Sequence, residues 1–271
     1  MTDKRQRFHQ LHQSGCFVLP NAWDIGTARY LEYAGFKALA TTSAGLAFSR
    51  GKPDNYNLPE SVLTLEEVLA HVAEMAPATK LPLNVDFQDG FAADHEELAV
   101  NVRRCAELGA AGISIEDNAG NRLYPFEEAV ARVQTAVQAL QGTGVLLIAR
   151  AEGKLLGTAT LDETIQRLRA FAAAGADCLY APDLETIEDI QAVVQACAPK
   201  PVNVLVSSPK FTVPQLEAVG VRRISVGAAL ARTAWGAVMR AASEILEHGT
   251  FQNFAQAAKI TEISQILNPP T

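Results

Sequence analysis

The stretch Leu81-Pro82-Leu83-Asn84-Val85-Asp86-Phe87-Gln88-Asp89-Gly90 decides the fold, because an apolar run there ends abruptly in acid. Such a run reads as a buried strand that delivers Asp86 to an exposed end. The pattern recurs in Gly112-Ile113-Ser114-Ile115-Glu116-Asp117, and again in Val145-Leu146-Leu147-Ile148-Ala149-Arg150, where a cation takes the place of the acid. If these strands are neighbours, Asp86, Glu116 and Arg150 meet in one polar pocket over an apolar core. That is the form of a metal and carboxylate site.

Outward from this stretch, the same alternation of strand and helix runs along the chain. Before it, an apolar strand at Cys16 to Pro20 leads to a helix from Ile25 to Tyr33 that Gly35 stops, and a second strand spans Ala38 to Thr42. A loop at Ser43-Ala44-Gly45 and a polar excursion through Arg50, Asp54 and Pro59 follow. Thr64 with Glu67 and Thr160 with Glu163 have capping-box spacing and start helices. After the quoted strand come a helix from Asp94 to Leu108, the strand ending at Glu116, a helix reaching Leu140 behind Pro125, and the strand ending at Arg150. Three further strands follow, at Cys178 to Ala181, Val202 to Val206 and Arg223 to Val226, each with a helix behind it. Phe251 to Leu267 reads as one more amphipathic helix.

Eight near-continuous apolar strands, each followed by a helix, imply a parallel sheet with helices on its outside. Closure into a (β/α)8 TIM barrel is the economical architecture, as a single domain over 1–271 with a helical extension at about 228–267. A doubly wound open sheet competes, but the first strand lacks the glycine-rich phosphate turn of that fold. The chain has 271 residues, 48% of them hydrophobic, which is enough for one core of barrel size.

Composition narrows the function. A net charge of −7 and the lack of a Lys/Arg cluster argue against nucleic acid. The apolar runs are too short to cross a bilayer, and the polar stretch from Met1 to Gln13 has no signal-peptide pattern, so the expectation is a cytoplasmic protein that does not use a membrane. Cys16, Cys105, Cys178 and Cys197 form no CxxC pair and read as reduced structural thiols. Oxygen ligands dominate the strand ends, which favours Mg²⁺ or Mn²⁺ over zinc. Strand-end acids often only cap a helix or pair with an arginine, but two of them flanked by Arg150 point to a shared metal.

In order, these segments resemble the isocitrate lyase and phosphoenolpyruvate mutase superfamily. Asp86 to Phe91 is similar to its D-x-D-x-G-[FY]-G, Ile115-Glu116-Asp117 to its E-D run and Ile148-Ala149-Arg150 to its I-A-R. Pro20-Asn21-Ala22, Ala34-Gly35-Phe36, Ser43-Ala44-Gly45 and Pro53-Asp54 fall in family order, so the likeness covers roughly residues 10 to 240. The resemblance implies that Asp86 binds Mg²⁺ directly while Glu116 and Asp54 hold metal-bound water. It implies that Thr42, Ser43 and Ala44 cradle a substrate carboxylate, with Gly45 in the same stretch, and that Arg150 supplies the counter-charge. The metal would then polarise the 2-oxo group of a pyruvate-like moiety as an enolate develops. Homo-oligomers, commonly tetramers with an exchanged C-terminal helix, also go with the resemblance; a dimer is the other expectation.

Two departures limit the likeness. Gln88 stands at the second acid of the motif, removing a charge from the outer shell of the metal. The lyase lid K-[KR]-C-G-H is replaced by Asn118 to Phe126, with Arg122 at the Lys, Tyr124 at the Cys and Phe126 at the His, and the mutase lid K-x-F-P-K-x-N is not matched either. Tyr124, Arg122, Glu152 and Asp183 are the candidates for another acid or base; Glu152 needs only modest burial to titrate near neutrality. Asn203 and Ser207 are further candidates to face the pocket. The expected function is a Mg²⁺-dependent enzyme acting on a small 2-oxo acid, dicarboxylate or related hydroxy acid by C–C cleavage or decarboxylation. C–P bond hydrolysis or rearrangement of a phosphonopyruvate-like compound, or binding of 2-oxo acids without turnover, are the alternatives.

Overall fold

The structure is a computed structural model that describes residues 3–54 and 63–268. Its eight long-range strands are β1 (Phe17–Leu19), β2 (Leu39–Ala40), β3 (Leu83–Asp86), β4 (Gly112–Glu116), β5 (Leu146–Arg150), β6 (Cys178–Tyr180), β7 (Val202–Leu205) and β8 (Arg223–Ser225). All pair in parallel, each with its neighbour in sequence, and β8 returns to β1. Between β1 and β2 the ring is completed by a parallel bridge of Asn21 with Ala40, where the Ala40 N–H donates to the Pro20 carbonyl and the Ala22 N–H to the Ala40 carbonyl. The chain therefore forms the expected (β/α)8 barrel.

Side chains alternate across the strands, so every second residue faces inward. Outward residues such as Val85, Ile113, Leu147, Leu179, Val204 and Ile224 join the large apolar layer beneath the helices. The helices start where the capping residues place them. α2 (Ile25–Tyr33) is capped by Asp24, α4 (Leu65–Ala78) by Thr64 with Glu67 in reciprocal bonds, α5 (His95–Glu107) by Asp94, and α7 (Leu161–Ala173) by Thr160 with Glu163. Between α5 and α7 lies α6 (Phe126–Leu140), and beyond β6 and β7 lie α8 (Ile187–Cys197) and α9 (Val213–Ala218).

Three readings of the sequence need correction. Ser43 to Gly45 is not a loop but the first turn of a short helix, α3 (Ser43–Ser49), because the Thr42 hydroxyl accepts from the Gly45 N–H and caps it. The tail is not one helix: after α10 (Ala229–His248), Gly249 takes a left-handed φ of 61° and ends it, a 3-10 turn spans Gln252–Gln256, and α11 covers Ile260–Leu267. The polar start also holds a helix, α1 (Asp3–Gln13), whose single buried residue is Phe8. Pro59, in the polar excursion, lies outside the described residues.

Phe8 closes one end of the barrel. It packs among the inward residues Leu19, Ala38, Ala40, Leu146, Ile148 and Cys178. Gly112 makes room for it, since a Cβ there would lie 2.6 Å from the Phe8 ring and 2.7 Å from Asn84 Oδ1. α1 is moored above the plug by its cations: Arg5 donates to the carbonyls of Ala110, Thr143 and Ala106, and Lys4 to those of Ala76 and Thr79.

Candidate active site

At the other end, the carboxyl ends of the strands surround a cavity of about 190 Å³. The sheet register explains who meets there. Glu116 is directly opposite Arg150, which is opposite Tyr180, and Asp86 is opposite Ser114. All five are inward positions, so the acids of β3 and β4 and the cation of β5 face one space, as the motif spacing predicts.

Arg150 holds the centre. Its Nη1 lies 2.8 Å from Asp86 Oδ1 and 3.1 Å from Glu116 Oε1, and its Nε donates to Glu152 Oε1 at 2.7 Å. Its guanidinium stacks over the Tyr180 ring, 4.8 Å from the centroid. Burial works to lower its affinity for the proton, but Glu116, Glu152, Tyr180 and Asp86 outweigh it and hold Arg150 well above the ordinary arginine range. The second oxygen of Asp86 accepts from the backbone N–H and the hydroxyl of Ser43, at 3.0 and 2.9 Å. The first turn of α3 is thus engaged by a carboxylate of the protein itself.

The remaining acids carry strain of charge. Burial pushes the Glu116 carboxyl well above the usual range, with Arg150 opposing and Glu152 and Asp86 reinforcing. Glu152 is also raised, again by burial. Asp54 reaches the cavity from the loop after α3, and partial burial followed by the nearby Asp86 raises it too. Asp117, next to Glu116, turns away: it accepts from the Glu152 N–H and pairs with Arg167 at 3.0 Å.

The residues present fit a divalent cation in chemistry and in charge. Asp54, Asp86, Glu116 and Glu152 are hard oxygen donors, the kind that Mg²⁺ and Mn²⁺ take. These four carboxylates outnumber the two guanidiniums of the site, Arg150 and Arg223, by two. Among the described residues no three of His, Cys, Asp and Glu already converge as a ligand cluster, because Asp86 and Glu116 both bond to Arg150.

Of the other expected site residues, Thr42, Ser43 and Ala44 line the cavity. Gly45 does not: it is buried in α3, where a Cβ would lie 2.5 Å from Thr42 and 2.8 Å from Trp23. Glu152 is buried behind Arg150 and acts on the cavity through it. Asn203 is inside the barrel, below the mouth, donating to Ser225 Oγ and accepting from Arg223 Nε. Arg122 sits exposed on a small antiparallel hairpin formed by Asn118–Ala119 and Arg122–Leu123, outside the cavity lining. Tyr124 is likewise outside it; its hydroxyl donates to Asp89 at 3.2 Å under the Arg132 guanidinium, and burial pushes its pKa up to about 12.

Several lining residues escaped sequence reasoning: Thr41, Asn84, Ser114, Tyr180 and Arg223. The signal was present for three of them. Asn84, Ser114 and Arg223 are polar residues at the inward positions of otherwise apolar strands, two residues before Asp86, Glu116 and Ser225.

Comparison with known proteins agrees with this architecture. The profile of the phosphoenolpyruvate phosphomutase family matches residues 8–246. A solved structure of a Burkholderia cenocepacia J2315 protein, provisionally classed as a lyase/mutase, superposes with a TM-score of 0.92 at 41% identity, over 98% of this chain and 96% of that one. An uncharacterized protein of Mycobacterium tuberculosis is 35% identical over 81% of each chain. An oxaloacetate decarboxylase of Paraburkholderia xenovorans strain LB400 is 31% identical over 72% of this chain and 66% of its own. The chain belongs to the phosphoenolpyruvate phosphomutase family, within the isocitrate lyase and phosphoenolpyruvate mutase superfamily.

Proposed function

We propose that this protein is a Mg²⁺-dependent carbon–carbon lyase that decarboxylates a small 2-oxo dicarboxylate of the oxaloacetate type. The observation that carries the reading is the cavity itself: carboxylates that call for a divalent cation beside a space for a small acid, with no lid side chain among the described residues placed to act as base. Retro-aldol cleavage needs a base for the substrate hydroxyl, whereas Tyr124, at the lid cysteine position, is bonded to Asp89 away from the cavity. A carboxylate beta to an oxo group is already ionised at neutral pH. Its C–C bond breaks without proton abstraction, the electron pair passes to C3 and on to the 2-oxo oxygen, carbon dioxide leaves, and C3 then takes a proton from water.

A bound divalent cation would supply stabilisation of the charge that develops on the 2-oxo oxygen. The protein's own residues do the rest. Asp86, Glu116 and Asp54 would hold the ion, Ser43 orients Asp86, and Glu152 orients Arg150. Tyr180, buried beneath Arg150 with its pKa raised to about 12, remains a neutral hydroxyl able to donate into the site. The likeness to an oxaloacetate decarboxylase supports this substrate class. We also read the exposed Trp235, Val238 and Met239 of α10 as a surface that a second copy covers, consistent with the oligomers the resemblance implies; sedimentation of the purified protein as a monomer would count against it.

The test is release of pyruvate and carbon dioxide from oxaloacetate, above the rate with Mg²⁺ alone, by protein with and without EDTA. Release of phosphate from phosphonopyruvate instead would favour C–P chemistry, and binding of both compounds without turnover would favour a binding protein.

A further inference from the structure

Two sides of the cavity differ in character. Asp54, Asp86 and Glu116 stand on the side of β3 and β4, whereas Leu155, Pro182 and Leu205 line the side of β5, β6 and β7. β5, β6 and β7 are successive staves of the barrel, so the three apolar residues occupy one arc of its mouth. Pro182 is buried, and Leu205 is half-buried against the cluster that holds Tyr180. Leu155 is different. It is 48% exposed, and among the described residues it joins none of the apolar clusters of the core.

A lone exposed leucine carries no meaning by itself. This one is held in place over a cavity. The chain turns tightly from Glu152 to Ala159: the Leu156 N–H donates to the Glu152 carbonyl, and the N–H groups of Thr158 and Ala159 both donate to the Gly153 carbonyl. The limbs of the turn meet at Gly153, where a Cβ would lie 2.4 Å from that of Ala159, and Gly157 takes a left-handed φ of 65° as the chain comes back. Leu155 is thus carried on a braced turn. A ligand without an apolar group leaves the arc in contact with water. One with an alkyl branch covers it, and each methylene so buried is worth about fourfold in affinity.

We propose that Leu155, with Pro182 and Leu205, receives an alkyl group carried on C3 of the substrate, so that the preferred class is a 3-alkyl-2-oxo dicarboxylate and not oxaloacetate itself. This rests on the proposed function for the 2-oxo acid and on the apolar arc for the alkyl group. With the 2-oxo oxygen drawn toward the acids by the cation they would hold, the opposite side is left for C3 and what it bears. Leu155 is the specificity-determining residue of the three, because Pro182 and Leu205 are built into the barrel while Leu155 can change without disturbing it.

The experiment is calorimetric titration of the full chain in Mg²⁺ with oxalate, pyruvate and 2-oxobutyrate, in the wild type and in Leu155→Ser and Leu155→Met, with kcat/KM for 3-methyloxaloacetate and oxaloacetate measured alongside. The wild type is expected to bind 2-oxobutyrate about fourfold more tightly than pyruvate and to prefer the methylated diacid by a similar ratio. Leu155→Ser should lose both preferences and Leu155→Met should keep them, while oxalate, which has no C3, binds all three proteins within about twofold. Equal binding of pyruvate and 2-oxobutyrate by the wild type, or a preference that survives in Leu155→Ser, overturns the inference and leaves the proposed function standing. Failure of the wild type to bind either oxalate or pyruvate would sink the proposed function, and this inference with it.

Discussion

The two ends of the barrel are built from the same alternation of inward residues and do opposite work. At one end the inward set is Leu19, Ala38, Leu146 and Ile148, filled by the Phe8 ring, and the packing is predominantly apolar. At the other it is Asp86, Glu116 and Arg150, where the carboxylates of Asp86, Glu116 and Glu152 crowd one guanidinium and burial raises the proton affinity of Glu116 and Glu152. The first end contributes stability by filling space. The second spends some of it, holding charges together that would separate in water. Such an arrangement marks a site kept for binding and chemistry, since buried ion pairs are weak sources of stability.

The comparison can be broken at either end. The largest effect is expected from Asp86→Asn, which removes the acid that touches both Ser43 and Arg150: oxaloacetate turnover should fall by about 10³-fold or more, read as pyruvate release, while the urea midpoint moves little. A turnover within tenfold of wild type would take Asp86 out of the chemistry. At the plug, Phe8→Ala should cost about 3–5 kcal/mol in urea unfolding and leave turnover of the remaining folded protein within threefold. A cost below about 1 kcal/mol would mean that the ring does not seal the barrel.

A subtler difference lies in the response to pH. Glu116, Glu152 and Asp54 have folded pKa values above their unfolded ones, so the stability tied to their protons is fully present below pH 4 to 4.5 and is lost as pH rises through the raised values. Metal-free protein should therefore gain stability as pH falls from neutrality toward 5, and Glu116→Gln should flatten that gain. Added Mg²⁺ should flatten it as well, by stabilising the ionised acids. Glu244, in the tail, runs the other way: bonds from Thr250, Asn253 and Gln252 lower it to about 2, so its contribution is lost only as pH falls below about 4.5. A wild-type stability that declines steadily from pH 7 to 5 would refute the account of the site. The smallest effect belongs to Arg122→Ala, an exposed hairpin residue, which should change turnover by less than threefold; a hundredfold loss would restore it as a lid residue.

Much of this was legible in the sequence. The strand ends at Asp86, Glu116 and Arg150, the caps at Thr64 and Thr160, and the stop at Gly35 are local signals, and local signals were enough for the barrel and the polar cluster. Arg122 and Asn203 were misplaced for a different reason: where a hairpin folds, or how deep a strand residue sits, depends on the closed barrel. α1 was invisible because its core contribution is a single phenylalanine in a charged helix, and one residue has no period. The pairing of Arg150 with three acids depends on distances across the barrel that no motif encodes.

The plug carries a consequence for the order of assembly. Phe8 leaves the ribosome among the first residues of this sequence, but its berth includes Ile148 and Cys178 and ends against Arg223, so the berth is finished only when nearly all of the strands exist. For most of synthesis the ring has nowhere to go, and the helix that bears it must wait, soluble by virtue of its lysine, arginines and histidines. A helix made before all eight strands is seated after them, and the barrel is shut from beneath only once its final stave is in place.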